Sequence, residues 1–404
     1  YEISTRDWSS DVCSSDLNRF MTTIGIIGCG AMGAGIAQLA LQNGHRVVLF
    51  DQSLQAVKQA IQSIDGQLKK LIEKGRLSES QWTDCMGRLL QAEQLHDLQS
   101  SNLVIEAIIE DLSIKQSLFK QLEKHLSETC ILASNTSSLS IAALSSVLTA
   151  PQRFLGLHFF NPATVMPLVE VIPGVRTSKE STVWVYNLMK DWKKEPVLAK
   201  DTPGFIVNRI ARPYYSEALR IAEEGIADFA TIDWAMKSQG QFKMGPFELM
   251  DFIGHDVNYR VTETVWKELF FDPRFKPSIT QKRWFEAGLY GKKAGRGCYE
   301  YNSAASMPEP TKNPELAAVI FNRILSMLIN EAADALYYQI ATREDIETAM
   351  KKGVNYPKGL LEWGNQFGLQ LVKETLHKLY HRYQEERYRL SPKIEDCIRA
   401  NQLL

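Results

Sequence analysis

The chain has 404 residues, enough for two or three domains of ordinary size. Its 46 Lys and Arg residues balance 47 Asp and Glu residues, and the formal net charge of -1 argues against a nucleic-acid-binding protein, which usually carries a basic excess. Hydrophobic residues make up 45% of the sequence, as in ordinary globular proteins, and no apolar run approaches the roughly 20 residues of a membrane span.

Residues 1–20 are polar, rich in Ser and Asp, and show neither helical nor strand periodicity. The stretch 7–17 also looks like a translated reading frame of a sequencing adapter, so we expect a non-native leader and a natural start at Met21. A disordered natural leader is the alternative. The fold prediction therefore begins at Met21.

From Thr22 the chain alternates short apolar runs with longer amphipathic stretches, a pattern typical of βαβ units on a parallel sheet. Helices are expected at 31–42 and, interrupted at Gly75, at 54–90. Strands are expected at 24–27, 47–50, 103–107, 130–133, 154–158 and 168–172. The sequence thus predicts an α/β domain over residues 21–201.

After residue 201 the pattern becomes helical only. Asp201 or Thr202 is expected to cap the first helix, with Pro203 in its first turn. Residues 302–314 contain three prolines and are typical of a linker. They would separate a first helical domain at 202–301 from a second at 315–404.

The second helical segment repeats the first. A shift of 114 positions aligns the two without a gap, and the matched pairs include Asn208 with Asn322, Arg209 with Arg323, Ile210 with Ile324, Glu217 with Glu331, Ala218 with Ala332, Ile232 with Ile346, Gly245 with Gly359 and Gly254 with Gly368. Chance similarity between two helical stretches is the alternative. The matches predict a duplicated helical domain.

A glycine motif follows the first predicted strand and opens the next helix: Gly28-Cys29-Gly30-Ala31-Met32-Gly33. Such glycines permit a tight turn and a close approach of the backbone to a pyrophosphate at the helix N-terminus. Asp51 ends the second strand, where its carboxylate can bind both adenosine ribose hydroxyls and repel a 2′-phosphate. The pattern predicts NAD binding in preference to NADP.

Two further strand ends carry polar groups. Residues 135–138, Asn-Thr-Ser-Ser, follow one strand, at an edge where α/β sheets bind ligands, although these residue types also form turns. His158 ends the next strand. A histidine beside two phenylalanines is more often a core residue, but Glu170 in the following apolar strand needs a buried partner. A His158–Glu170 pair would give an oriented general base.

Residues 21 to about 301 resemble the L-3-hydroxyacyl-CoA dehydrogenase family almost throughout. Besides the glycine motif, the matching segments are Val104-Ile105-Glu106-Ala107, Ser134-Asn135-Thr136-Ser137-Ser138-Leu139, His158-Phe159-Phe160-Asn161-Pro162, Asp201-Thr202-Pro203-Gly204-Phe205-Ile206-Val207-Asn208-Arg209 and Met244-Gly245-Pro246-Phe247-Glu248-Leu249. The resemblance implies a Rossmann-type NAD-binding domain followed by two all-α domains of the 6-phosphogluconate dehydrogenase C-terminal-like type.

The resemblance also implies roles for individual residues. His158 would be the base and Glu170 its orienting partner, while Ser137 and Asn208 would bind the reacting part of the substrate. Besides the glycine motif and Asp51, the cofactor contacts implied are Glu110, Lys115, Asn135, Asn161 and Lys293. Ser63 and Lys70 fall where the family contacts CoA, in a stretch that matches the family poorly.

The doubled helical segment is similar to longer bacterial members of the family, although its linker is short for them. The expected reaction is oxidation of 3-hydroxybutyryl-CoA or 3-hydroxyadipyl-CoA, in fatty-acid or phenylacetate-type degradation. One alternative is a gulonate-type sugar-acid dehydrogenase, disfavoured by the basic residues Lys69 and Lys70, which suit CoA phosphates. Another is a non-catalytic NAD-binding structural protein, disfavoured by the intact His158 set.

The second helical copy is expected to cover an apolar face of the first within one chain, as a partner subunit does in shorter family members. The predicted faces are Leu325, Met327, Leu328, Ala332, Ala335 and Leu336 on one copy and Ile210, Tyr214, Ala218 and Ile221 on the other. A contact of the repeat with another subunit is the alternative.

The six cysteines are widely separated and contain no C-x-x-C pair. Neither a zinc site nor a disulfide framework is expected from this spacing, and a reducing cytoplasm fits it best. The N-terminus also lacks the basic region and apolar stretch of a secretory signal. We therefore expect a cytoplasmic protein with no metal. The resemblance implies an acyl-CoA thioester as its partner.

Overall fold

The computed structural model describes residues 21–302, 306 and 308–404. The predicted leader at 1–20 lies outside the described residues, as do four residues of the predicted linker. Two parts follow one another along the described chain. An α/β part precedes a part that is almost entirely helical.

The α/β part is built on one eight-stranded sheet with the strand order β3-β2-β1-β4-β5-β6-β7-β8. Strands β1 to β6 are parallel, β7 is antiparallel to β6, and β8 is parallel to β7. The strands are β1 (Thr23–Ile27), β2 (Arg46–Phe50), β3 (Leu89–Gln91), β4 (Leu103–Glu106), β5 (Ile131–Ser134), β6 (Phe154–Phe159), β7 (Leu168–Pro173) and β8 (Glu195–Leu198).

The strand order reverses between β1 and β4, which is where open α/β sheets form a ligand crevice at the strand C-terminal ends. The helices of this part are α1 (Ala31–Gln42), α2 (Leu54–Glu73), α3 (Glu79–Gly87), α4 (Leu112–Leu122), α5 (Ile141–Ser145) and α6 (Lys179–Asp191). The sheet and its crevice confirm the predicted fold class.

The prediction of a helical stretch over 54–90 is wrong at its C-terminal end. Helix α2 ends at Glu73, and Gly75 follows in the left-handed region with φ of 65°. Ser78 then starts α3 through a reciprocal pair of hydrogen bonds with Gln81. The last residues form the edge strand β3, which is too short to produce an alternating pattern in the sequence.

The expected role of Asp201 as cap of the helix that follows it is also wrong. Its carboxylate accepts the backbone N–H groups of Ile141 and Ala142, at 2.9 and 2.8 Å, and the hydroxyl of Ser140 at 3.3 Å. Ser140 is the N-cap residue of α5, and Asp201 adds to this cap from a distant point in the chain. The first helix after it starts only at Val207, without a side-chain cap.

The helical part contains α7 (Val207–Ile210), α8 (Arg212–Glu223), α9 (Phe229–Gly240), α10 (Pro246–Ile253), α11 (His255–Glu268), α12 (Ile279–Glu286), α13 (Pro314–Tyr337), α14 (Arg343–Gly353), α15 (Leu360–Phe367), α16 (Leu369–Tyr383) and α17 (Pro392–Ala400). Helix α13 is long and apolar enough to cross a membrane, but 78% of its apolar stretch is buried. It packs against α8, α9, α15 and α16 as the central helix of the core.

The two helical segments meet through equivalent buried ion pairs. Arg209 donates to Glu331 at 2.7 Å, and Arg323 donates to Glu217 at 3.0 Å. Arg323 and Glu331 of the second segment are the repeat equivalents of Arg209 and Glu217 of the first. The arginine of each segment therefore pairs with the equivalent glutamate of the other segment. This reciprocity is the signature of a two-fold contact between identical surfaces.

A second arginine follows the same symmetry. Arg274 of the first segment contacts Glu331 at 2.9 Å, and Arg387 of the second contacts Glu217 at 3.4 Å. Both arginines lie in short 3₁₀ turns at corresponding points of the two segments. The expected packing of the second segment on the first within one chain is present.

The second segment also touches the sheet. Helix α14 packs against β7 and β8, and Lys352 near its end pairs with Glu195 of β8 at 2.6 Å. A backbone hydrogen bond of 2.8 Å joins Lys200 to Ile340. These contacts hold the repeated segment against the strand that carries Glu170.

Candidate active site

The glycine loop joins β1 to α1 and leaves open space at its centre. Gly28 has φ of 96°, and a side chain there would meet the carbonyl of Ala107. A side chain at Gly33 would overlap the carbonyl oxygen of Gly28, whereas one at Gly30 would meet nothing within 4 Å. Two of the glycines are therefore required by packing, and the third leaves room for a ligand phosphate at the start of α1.

Asp51 lies beside this loop at the end of β2. Its Oδ2 accepts the backbone N–H of Cys29 at 2.9 Å, and its Oδ1 accepts that of Ser53 at 3.0 Å. Each carboxylate oxygen keeps a further lone pair for a ribose hydroxyl. Burial and the charge of Asp51 raise the pKa of the Cys29 thiol to about 12, so this cysteine stays protonated.

A buried chain of charges leads from β4 to the β5 turn. Lys115 is fully enclosed, and its ammonium contacts Glu106 at 2.8 Å and Glu110 at 3.1 Å. Glu110 in turn accepts the Thr136 hydroxyl at 2.6 Å and the backbone N–H of Ser137 at 2.8 Å. Burial opposes ionisation of Glu110, but Lys115 and these donors outweigh it and lower its pKa.

Asn135 and Ser137 occupy the loop that leaves β5. The Asn135 amide oxygen accepts the backbone N–H of Phe159 at 2.8 Å, which ties this loop to the end of β6. Ser137 lies partly exposed, with its hydroxyl 3.2 Å from Glu110. The strand ends β4, β5 and β6 thus bring their polar residues to one edge of the sheet.

His158 and Glu170 face each other across the antiparallel pair β6 and β7. The His158 Nδ1 lies 2.7 Å from the Glu170 Oε2, so the expected contact between them is present. Both are buried, and the imidazole packs against Phe160 with ring centroids 4.5 Å apart. The His158 Nε2 has no hydrogen-bond partner in the described part of the chain and is the atom left for a substrate.

The other oxygen of Glu170 connects the sheet to the helical part. Its Oε1 accepts the backbone N–H groups of Ile206 and Val207, both at 3.0 Å. These groups lie at the start of α7, where the helix dipole favours a negative charge. Asn208 follows in α7, and its side-chain amide donates to the Ser137 carbonyl at 3.3 Å. The structure therefore brings His158, Glu170, Ser137 and Asn208 together.

Four predicted contact residues lie away from this group. Ser63 and Lys70 are exposed on one face of α2, two turns apart, and Lys70 has no ion-pair partner within the described residues. Asn161 is exposed just after β6. Lys293 is engaged with Asp256, at 2.6 Å, beside the start of α11.

Glu106 is a site residue that the sequence reasoning did not single out. It is completely buried at the end of β4 and accepts hydrogen bonds from Lys115 and from the Ser134 hydroxyl, at 2.8 and 2.6 Å. Glu170 was predicted as a site residue because a carboxylate in an apolar strand needs a buried partner. The same argument applied to residues 103–107 would have identified Glu106.

A separate cluster in the helical part brings together possible metal ligands. One ligand atom from each of Asp251, His255 and Cys298 lies within 4.8 Å of the others. Asp251 already accepts the His255 Nε2–H at 2.8 Å and the backbone N–H groups of Cys298 and Tyr299. Hydrogen bonding accounts for this arrangement, which fixes the segment before the linker to α10.

Comparisons with known proteins agree with these features. The family model described as 3-hydroxyacyl-CoA dehydrogenase, NAD binding domain, matches residues 23–202. The model for the C-terminal domain of the same family matches residues 204–301 and also residues 319–403. The glycine loop and Asp51 lie within the first of these ranges, and Asn208 lies within the second.

Individual relatives cover most of the chain. An Escherichia coli K12 protein named 3-hydroxyadipyl-CoA dehydrogenase is 36% identical, over 91% of this chain and 95% of its own length. A probable 3-hydroxybutyryl-CoA dehydrogenase of Deinococcus radiodurans is 41% identical over 69% of this chain and 99% of its own. A crystal structure titled 3-hydroxybutyryl-CoA dehydrogenase from Escherichia coli K12 superposes with a TM-score of 0.88 at 36% identity, covering 93% of this chain and 98% of that one.

Proposed function

The chain belongs to the 3-hydroxyacyl-CoA dehydrogenase family, and we propose that His158 is the base with which it oxidises a 3-hydroxyacyl-CoA thioester. The protein is an NAD-dependent oxidoreductase. The observation that carries the proposal for His158 is its contact with Glu170 at 2.7 Å, with the opposite ring nitrogen left unpaired within the described residues. The reaction converts an (S)-3-hydroxyacyl-CoA to the 3-oxoacyl-CoA.

The proton and the hydride leave the substrate by different routes. Bound NAD supplies the acceptor for the hydride that departs from the hydroxyl-bearing carbon. His158 takes the hydroxyl proton on Nε2, and Glu170 stabilises the resulting imidazolium through Nδ1. Two backbone N–H groups at the start of α7 hold the Glu170 carboxylate in place. Glu170, which lies on the sheet, therefore keeps the imidazole in a fixed orientation.

Ser137 and Asn208 hold the reacting end of the substrate. They come from different parts of the chain and approach each other across the crevice, with Asn208 donating to the Ser137 carbonyl. A hydroxyl and a thioester carbonyl bound between them would lie in a near-attack geometry beside His158. The α/β and helical parts must therefore be closed on one another for catalysis.

The glycine loop fits the cofactor that the family uses. The open space at Gly30 and the free lone pairs of Asp51 suit a pyrophosphate and a ribose diol, respectively. Gly28, Ala31, Met32 and Gly33 shape the same turn. Asn135, Asn161 and Lys293 are proposed as further NAD contacts, together with Glu110, which Lys115 supports from beneath.

The exposed residues of α2 are proposed to bind the CoA moiety. Ser63 and Lys70 share one face of that helix, and the Lys70 ammonium is available for a phosphate. A small sugar acid would not use this face. This face favours a thioester substrate, and we propose that the protein acts in fatty-acid or phenylacetate-type degradation.

The second helical segment is proposed to replace a partner subunit. Its support is the reciprocal pairing of Arg209 with Glu331 and of Arg323 with Glu217, which is what a two-fold dimer contact would contain. On this proposal the chain needs no second copy to bury the face of α8. We also propose a cytoplasmic location, consistent with five free cysteines among the described residues.

The decisive experiment uses the purified protein with NADH and a panel of 3-oxoacyl-CoA thioesters, followed by the nicotinamide absorbance. We expect oxidation of NADH with acetoacetyl-CoA or 3-oxoadipyl-CoA and none with a 3-oxo sugar acid. NADH binding without turnover of any thioester would contradict the proposed reaction and favour a non-catalytic protein.

A further inference from the structure

Arg212 is a buried cation in the helical part, one turn of chain after Asn208, and only 5% of its surface is exposed. Its Nε donates to the Asn208 carbonyl at 2.9 Å, and its Nη1 donates to the Thr262 hydroxyl at 3.1 Å and to the Asn258 carbonyl at 3.4 Å. The Nη2 group has no acceptor within the described residues. This Nη2 group is not fully enclosed by protein atoms, so it borders accessible space.

The other buried arginines are all paired with carboxylates. Of the six buried arginines among the described residues, five lie within 4.0 Å of a Glu oxygen: Arg153, Arg209, Arg274, Arg323 and Arg387. Arg212 has no such contact. Burial lowers its pKa, and no carboxylate counters that effect. The Tyr215 ring centroid lies 4.9 Å from the guanidinium carbon and offsets part of the cost of the buried charge. Since no carboxylate among the described residues pairs with Arg212, the position suits an anion brought by a ligand.

The repeat provides an internal comparison. The second helical segment carries Ser326 at the position that corresponds to Arg212, and it carries Val372 and Leu376 where the first has Asn258 and Thr262. All three replacements are buried in the same helical framework. The helical unit therefore folds without this polar group, which occurs only in the copy that faces the active site.

Two further donors near Arg212 lack partners. The Asn258 Nδ2 and the Tyr356 hydroxyl are buried without a hydrogen bond among the described residues. These two atoms are enclosed by protein, so they are not open to a ligand in this structure. The Nη2 hydrogens of Arg212 are the ones left for a carboxylate, which accepts several hydrogen bonds.

The position fits the far end of an acyl chain. Asn208, proposed to hold the reacting end, lies in α7 four residues before Arg212, which is the first residue of α8. Because the Arg212 Nε bonds back to the Asn208 carbonyl, the guanidinium lies beside that turn. Three carbon–carbon bonds beyond the hydroxyl-bearing carbon span roughly 4 Å, and a carboxylate at that distance is within reach of such a group.

We propose that Arg212 binds a carboxylate at the distal end of the acyl chain. The substrate class is then a 3-hydroxyacyl-CoA whose chain ends in a carboxylate, and an uncharged chain of the same length is the poorer substrate. This assignment rests on the proposed dehydrogenase function and adds the residue that selects among thioesters. The names of the relatives mention different acyl chains, so they do not indicate which acyl chain this protein prefers.

The test compares two thioesters of equal length, 3-oxoadipyl-CoA and 3-oxohexanoyl-CoA, each reduced by the full-length protein with NADH. We expect kcat/KM of the wild type to favour 3-oxoadipyl-CoA at least about tenfold. Arg212→Met should lower the ratio of the two values by a factor on the order of 10², because the charge-assisted hydrogen bonds are lost only with the charged chain. Arg212→Lys should retain part of the preference.

Two controls separate binding from structure. Arg260→Met removes an exposed arginine from the neighbouring helix α11 and should leave the ratio unchanged. Arg212→Lys keeps the proposal testable if Arg212→Met does not fold, because it retains the charge and should keep part of the preference. Equal losses on both thioesters in Arg212→Met, or a wild type without preference, would overturn the assignment. If the wild type reduces neither thioester, the dehydrogenase function itself fails and the assignment with it.

Discussion

At the scale of single residues, the site depends on buried charges that are held in place from two sides. Glu170 accepts a hydrogen bond from His158 with one oxygen and two backbone N–H groups with the other. Lys115 is held in the same way between Glu106 and Glu110. Such groups have little freedom to reorient, so each keeps its contact atom in a fixed position.

The first prediction concerns the proposed base. His158→Ala or Glu170→Gln should lower kcat by a factor on the order of 10²–10⁴, because a general base or its orienting group is lost. The affinity for NADH, measured by fluorescence titration, should be retained since neither side chain touches the glycine loop. Near-normal turnover in either variant would remove His158 from the mechanism.

The second prediction concerns the choice of cofactor. Asp51→Ser combined with Gln52→Arg should remove the charge that repels a 2′-phosphate and supply a cation for it. The ratio of kcat/KM for NADPH to that for NADH should then rise. Gln52 is exposed, so Gln52→Arg alone serves as the matched control. A wild type that already uses both cofactors would show that Asp51 does not discriminate between them.

At the scale of elements, helix α5 is held by a residue from outside its own segment. Asp201 caps it 60 positions later in the chain, at the junction of the α/β and helical parts. The start of α7 lies at the same junction, and its backbone N–H groups donate to the Glu170 carboxylate. Carboxylates from elsewhere in the chain therefore hold the N-termini of both α5 and α7.

The third prediction tests this cap. Asp201→Ala should lower the free energy of unfolding by about 1–2 kcal/mol, the usual cost of losing a helix cap. Thermal melting of the purified variant measures the effect. Thr202→Ala is the control, since the Thr202 hydroxyl bonds only the nearby Lys200 carbonyl among the described residues. Equal destabilisation by both changes would argue against a capping role for Asp201.

At the scale of the whole molecule, the two helical segments contact each other within one chain through equivalent buried ion pairs. Glu217 and Glu331 are completely buried, and each is bound by arginines of the opposite helical segment. Removing one partner of a buried ion pair leaves an uncompensated charge. The interface should therefore be sensitive to single neutralising changes.

The fourth prediction addresses that interface. Truncation after Tyr301 should expose the face that contains Ile210, Tyr214, Ala218 and Ile221, all now buried, and cause self-association or aggregation in size-exclusion chromatography. In the full chain, Glu331→Gln should destabilise by roughly 3–5 kcal/mol. The exposed Glu344→Gln is its control. A truncated protein that stays monomeric and as heat-stable as the full chain would refute this packing.

The sequence by itself determined the class of fold and much of the site. Glycine spacing, strand-end polar residues and the carboxylate at Glu170 act through local geometry, and local patterns report local geometry. The parallel β1–β6 core and the contact between His158 and Glu170 follow from such patterns. The repeat was also visible, because matched residues at a fixed shift need no knowledge of the fold.

The tertiary structure alone decided which distant residues share a contact. The short edge strands β3 and β8 carry too few residues for a periodic signal, and they exist because a neighbouring strand supplies their hydrogen bonds. Asp201 bonds to α5 because the fold brings residue 201 next to that helix. The residues that follow Asp201 in the sequence do not reveal this contact. The absence of a carboxylate beside Arg212 among the described residues is likewise a property of packing, since a sequence shows a charge but not its surroundings.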